Sequence, residues 1–144
     1  TENVPLIVGC AEALTIAQEG YAPRADVVGA RRDSFLAALR AAIPGLVLNG
    51  SEKDRVANNC NISILGIDGE FAVVWLDRHG IAASTRSACD VGSAGTSHVI
   101  ETISGGDSAR AKSSIRFTLG EETTDADLRY VVKVLAAHIA AMKS

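Results

Sequence analysis

The sequence predicts an α/β domain, with a small mixed or antiparallel sheet and helices packed on it. Three observations carry that reading. Cys60, Ile62 and Ile64 alternate with Asn61 and Ser63, and Ile115, Phe117 and Leu119 alternate in the same way later in the chain. A period of two marks a strand with one buried face. Leu128, Val131, Leu135, Ile139 and Met142 recur at helical spacing behind Thr124-x-x-Asp127, a capping-box pattern. Finally, 144 residues, 47% hydrophobic and 22% charged, suffice for one domain with its own core, expected to span residues 1–144.

Each element can be justified in turn. Val4, Ile7, Ala11, Leu14 and Ala17 keep helical spacing, with Asn3 placed to cap the start and Pro5 tolerated in the first turn. Gly20 and Pro23 interrupt the pattern, so a kink or two helices are expected, the second starting near Asp26. That second helix carries Val28, Phe35, Leu36, Leu39, Ala42 and Ile43 and ends at Pro44-Gly45. Leu46–Leu48 reads as a short strand stopped by the Asn49-Gly50 turn signal, followed by a polar loop from Ser51 to Asn59. The Cys60–Ile64 strand leads to a turn at Asp68-Gly69. Phe71, Val74, Trp75 and Arg78 then follow helical spacing, closed by Gly80. A strand over Ile81–Ala83 and a short helix from Ser97 to about Ile103 flank the next loop. Ser104–Asp107 is a turn, without the strand or Gly-Lys-Ser/Thr context of a phosphate loop.

Between Ser84 and His98 the residues are small or polar, with one cysteine, Cys89, at the centre. Such a segment cannot build a core. Composition alone leaves it as either a surface loop with an incidental cysteine or a loop that presents a thiol. The net charge of −3 argues against a nucleic-acid binder, which would need a basic face, and no apolar run is long enough to cross a bilayer. Cys10, Cys60 and Cys89 are odd in number and widely spaced, which suits a reducing, cytoplasmic setting better than a disulfide framework. Cys10, in a helical pattern, and Cys60, at a strand edge, are expected to be buried. No Cys-x-x-Cys or His-x-x-x-His spacing occurs, so no metal site is expected. His79, His98 and His138 are expected to be structural or solvated.

Several stretches, in order, resemble the C-terminal part of the pyridoxal-phosphate-dependent cysteine desulfurases of the class V aminotransferase family. They are Thr1-Glu2-Asn3-Val4-Pro5, Leu48-Asn49-Gly50, Ser84-Thr85-x-Ser87-Ala88-Cys89, Thr96-Ser97-His98-Val99, Ser113 through Gly120, and Thr123-Thr124. The similarity is to the group with a long cysteine loop. Two positions depart from the pattern: Arg86 stands where the family usually has Gly, and Gly95-Thr96 replaces an acidic-Pro pair. The resemblance implies the C-terminal small domain of a fold-type I enzyme. The full enzyme would turn L-cysteine into L-alanine, leave a persulfide on Cys89, and deliver that sulfur to iron–sulfur cluster assembly or another acceptor or scaffold protein.

The same resemblance assigns residues. Cys89 would be the catalytic thiol. Arg116, from spacing alone a surface arginine pointing away from Ile115 and Phe117, would hold the substrate carboxylate. Thr1 would reach the cofactor phosphate of a neighbouring subunit, which implies a homodimer. None of Lys53, Lys112, Lys133 and Lys143 lies in the Ser-x-His-Lys setting that holds pyridoxal phosphate in the family. The cofactor-binding large domain is therefore expected upstream, on a longer chain, and this piece alone is expected to be inactive. The alternatives are a stand-alone sulfur-carrier or interaction module, or a related lyase such as one acting on selenocysteine.

Overall fold

The computed structural model describes residues 1–86 and 96–143. Helix α1 (Val4–Glu19) is capped by Asn3, whose Oδ1 accepts from the Leu6 amide at 3.3 Å. A break at Gly20 leads into α2 (Tyr21–Ala42). The second helix thus begins at Tyr21, five residues before the expected Asp26. Pro23 falls in its first turn, where its missing N–H costs nothing. Across the junction Arg24 Nη2 donates to the Ala17 carbonyl at 2.5 Å.

Three strands form one antiparallel sheet in the order β1 (Leu46–Leu48), β2 (Asn59–Ile64), β3 (Ser114–Thr118). Its register sets Leu48 against Ile62, and Cys60, Asn61 and Ile62 against Phe117, Arg116 and Ile115. The alternation read from the sequence therefore sorts the sheet into two faces. Cys60, Ile62, Ile64, Ile115 and Phe117 point into the core; Asn59, Asn61, Ser63, Ser114 and Arg116 share the other side.

Helices cover the apolar face. α2 supplies Phe35 and Leu39, and α6 (Asp125–Lys143) supplies Leu128, Val131, Leu135 and Ile139. Phe35 meets Phe117 edge to face at 5.4 Å. The capping box forms as expected: the Thr124 amide donates to Asp127 Oδ2 at 2.9 Å, and the Asp127 amide to Thr124 Oγ1 at 3.2 Å. Met142, however, is exposed. α3 (Gly69–Asp77) is capped by Asp68 and buries Ala72 and Leu76. Gly69 lies so close to β3 that a Cβ there would sit 2.6 Å from the Ser114 carbonyl. This position is therefore closed to any side chain.

Two expectations are corrected, for Ile81–Ala83 and for Cys10, and two features are added. Ile81–Ala83 is not a strand: only Ser84 bridges, to Arg116, because the neighbouring residues lack partners. Phe71 and Val74 keep their helical spacing but face outward on α3, which turns its smaller residues inward. Cys10 is exposed, since α1 buries no residue at all; Cys60 is fully buried. The stretch after the Ser104–Asp107 turn adds a helix, α5 (Ser108–Lys112), next to α4 (His98–Ile103). No helix of the described residues is long and apolar enough to cross a membrane.

Candidate functional site

The polar face of the sheet has its own company. α5 lies against it, and Ser63 Oγ donates to the Arg110 carbonyl at 2.8 Å. Beside β2 and β3 opens a cleft of about 220 Å³ lined by Asn49, Asn59, Asn61, Thr85, Arg86, Ser97 and Arg116, with Val99, Ile100 and Ile103 of α4 as an apolar wall. A neighbouring cavity of about 420 Å³ shares Thr85, Arg86 and Ser97 and adds Asp68, Glu70, Thr96, Ala111 and Lys112.

Arg116 comes to this cleft by strand alternation: Ile115 and Phe117 are buried in the core, so the residue between them projects the other way. Its backbone is held on both edges of β3, by Asn61 in the ladder and by Ser84 in the isolated bridge. The Ser84 amide donates to the Arg116 carbonyl at 3.1 Å, and the Arg116 amide donates back at 2.6 Å. Among the described residues its half-buried guanidinium takes no hydrogen bond or ion pair. The other two cations at the cavities are matched with acids. Arg86 pairs with Glu70, and Lys112 Nζ lies 3.4 Å from Asp68 Oδ2. A half-buried guanidinium without a counter-charge is a ready ligand for a carboxylate.

Cys89 lies outside the described residues. The segment that carries it leaves the described fold at Arg86 and re-enters at Thr96, and both residues line these cavities. Ser97 caps α4, its Oγ accepting from the Ile100 amide at 3.4 Å, which anchors the returning end. Thr1 is exposed ahead of α1 and does not line the cleft. Cys60 sits on the core face, where burial pushes its thiol up to about 11. His79 is half-buried, with Nδ1 2.8 Å from the Trp75 carbonyl. His138 is buried and stacked 5.2 Å from Trp75. No group of three or more metal-ligating side chains occurs among the described residues.

Sequence reasoning missed the amide side chains of the cleft. Asn49 reads as a turn residue, yet its amide donates to the Asn61 carbonyl at 2.9 Å and its side chain is buried. Asn61 reads as the solvent side of an alternating strand. The usable signal was the match in phase between Asn59, Asn61 and Ser63 on one strand and Arg116 on another, which pairing places on one face.

Comparison with known proteins gives a consistent result. No protein-family model matches the chain. The cysteine desulfurase IscS of Clostridium botulinum is 37% identical over 137 residues, 94% of this chain and 34% of the relative. The IscS-like cysteine desulfurase of Mycobacterium tuberculosis is 34% identical over 97% of this chain and 36% of its own length. The chain thus spans about a third of the curated relatives it matches. Among solved structures, a NifS-like protein superposes with TM-score 0.77 at 25% identity, covering 98% of this chain and 35% of that one. A NifS-like protein from Rickettsia africae gives TM-score 0.76 at 22% identity, over 97% of this chain and 36% of its own.

Proposed function

We propose that this chain, which belongs to the cysteine desulfurase family and corresponds to its C-terminal region, supplies the sulfur-accepting thiol and the carboxylate ligand of an enzyme that converts L-cysteine to L-alanine. The observation that carries the reading is the Arg116 guanidinium, without a partner among the described residues, in a cleft bordered by both ends of the segment that bears Cys89.

The described residues do not by themselves make a site for pyridoxal phosphate. No lysine lines the Arg116 cleft, and Lys112 next door is ion-paired with Asp68. The cofactor, which supplies an electron sink for amino-acid chemistry, is assigned to another part of a longer chain. There the 1–144 domain would dock as the small domain, with Thr1 offered to the cofactor phosphate of a second subunit in a homodimer.

Within that enzyme the roles divide simply. Arg116 grips the substrate carboxylate with two parallel N–H donors and so fixes which way the thiol of L-cysteine points. The Cys89 thiolate attacks that sulfur. The substrate carbon–sulfur bond breaks, a sulfur–sulfur bond forms on Cys89, and the carbon takes a proton to leave as L-alanine. The outer sulfur then passes to a nucleophile of an acceptor or scaffold protein such as an iron–sulfur cluster assembly partner, in the cytoplasm; the sulfur–sulfur bond breaks and the Cys89 thiolate is regenerated.

The test uses the complete, cofactor-loaded enzyme that contains this chain. Arg116→Ala is expected to weaken the spectral response to L-cysteine on the order of tenfold to a hundredfold, the worth of a hydrogen bond to a charged group. Arg116→Lys restores part of it, because an ammonium lacks the planar fork. Cys89→Ala keeps the spectral response and loses sulfur transfer. Normal turnover in Cys89→Ala would remove the mechanism; normal L-cysteine binding in Arg116→Ala would move the carboxylate role elsewhere.

A further inference from the structure

The amides beside Arg116 are oriented by a chain of hydrogen bonds whose direction is fixed at its far end. Arg110 Nε, which can only donate, lies 2.7 Å from the Asn49 side-chain oxygen. The other end of that side chain is therefore its NH₂ group, which reaches Asn61 Oδ1 at 2.7 Å and Ser63 Oγ at 2.8 Å. The Ser63 hydroxyl has already given its proton to the Arg110 carbonyl, so its oxygen can only accept from Asn49. Two independent contacts thus fix Asn49 in one sense, and Asn49 fixes Asn61 in turn. With its oxygen committed to Asn49, Asn61 turns its NH₂ group away from that contact. It stands directly across the ladder from Arg116 and lines the same cleft. Among the described residues that NH₂ group has no acceptor.

We propose that Asn61 is a second ligand of the anion held by Arg116, and that Asn49 and Arg110 are positioning residues that keep its donor, not its acceptor, toward the ligand. The proposal rests on the reading of Arg116 as the carboxylate ligand. A guanidinium and an amide NH₂ side by side select a carboxylate over a neutral or cationic group. An Asn61 free to flip would present its oxygen half the time and repel the same carboxylate. The Arg110–Asn49 chain removes that alternative without placing a second charge in the cleft.

The experiment compares two probes on the complete cofactor-loaded enzyme: L-cysteine, and cysteamine, which keeps the amine and thiol but lacks the carboxylate. Asn61→Ala and the isosteric Asn61→Asp are expected to raise the L-cysteine concentration needed for half-maximal spectral response by about tenfold or more, with cysteamine unchanged. Asn49→Asp reverses the chain: it still accepts from Arg110 but now also accepts from Asn61, which must turn its oxygen into the cleft. It should show the same selective loss. If Asn61→Ala and Asn61→Asp bind L-cysteine normally while Arg116→Ala does not, the proposal is overturned and the Arg116 reading stands. If Arg116→Ala binds normally while the Asn61 variants fail selectively, the Arg116 reading is the one that fails. Equal loss for both probes in the Asn61 variants would mean a structural role only, and would also overturn the proposal.

Discussion

At the scale of single residues, the three thiols separate by environment. Cys60 faces the core on β2, fully buried, and loss of hydration pushes its thiol up to about 11. At pH 8 only about one molecule in a thousand would carry the thiolate there, and no reagent reaches it. Cys10 was expected to be buried with it, but α1 leaves it exposed. A brief alkylation of the native protein at pH 8, mapped by mass spectrometry, is therefore expected to modify Cys10 and Cys89 and to spare Cys60. Unfolding in denaturant should bring Cys60 up to full labelling. Modification of Cys60 in the native protein would show that the core face of β2 opens to solvent. Because Cys10 is accessible, Cys89 earns its assignment through sulfur transfer and not through labelling alone.

At the scale of elements, periodicity was most legible where an element packs on both its length and its face. α6 buries Leu128, Val131, Leu135 and Ile139 as its spacing requires, and β2 and β3 alternate as read. Helical spacing alone does not say which apolar side chains are buried. In α3 the large residues Phe71 and Val74 face out, while Gly69, Ala72 and Leu76 fit the narrow space against the sheet. Ile81–Ala83 has strand-like residues but no ladder, since local preference supplies no partner. The cleft was half legible for the same reason: alternation exposes Arg116, but the residues that orient Asn61 are Asn49, just past the end of β1, and Arg110 of α5, both outside its own strand. α1 is the extreme case, with Val4, Leu6, Ile7, Val8, Leu14 and Ile16 all exposed. A helix apolar on every side has its packing partner elsewhere; the proposed cofactor domain of a longer chain would provide one. Within the 144-residue chain, deleting residues 1–19 should therefore lower Tm by less than about 4 °C, the equivalent of about 1 kcal/mol. Phe35→Ala, which empties the contact with Phe117, should cost about 3–5 kcal/mol. A large loss on removing α1 would mean that the helix packs on the core in solution.

At the scale of the whole molecule, one sheet separates stability from binding. Its apolar face closes a core shared by α2, α3 and α6, whereas its polar face carries the cleft and little hydrophobic burial. Neighbouring residues on one strand should then differ sharply. Ile115 is fully buried between β2 and the helices, so Ile115→Ala loses its transfer energy and leaves a cavity, about 2–5 kcal/mol. Arg116 is half-buried and has no partner among the described residues, so Arg116→Ala strands no buried group and should stay within about 0.5 kcal/mol. With a urea slope of about 1–3 kcal/mol per molar, Ile115→Ala should move the unfolding midpoint of the 144-residue chain by roughly a molar or more. Arg116→Ala should leave that midpoint in place. Asn49→Leu is expected to fall between them, because it leaves Arg110 Nε without the Asn49 oxygen it donates to, while Nη2 keeps the Leu48 carbonyl. Urea titrations of the three variants followed by circular dichroism check the ranking. Equal shifts for Ile115→Ala and Arg116→Ala would show that the cleft face contributes to the fold as much as the core does, and the division of labour across the sheet would have to be abandoned.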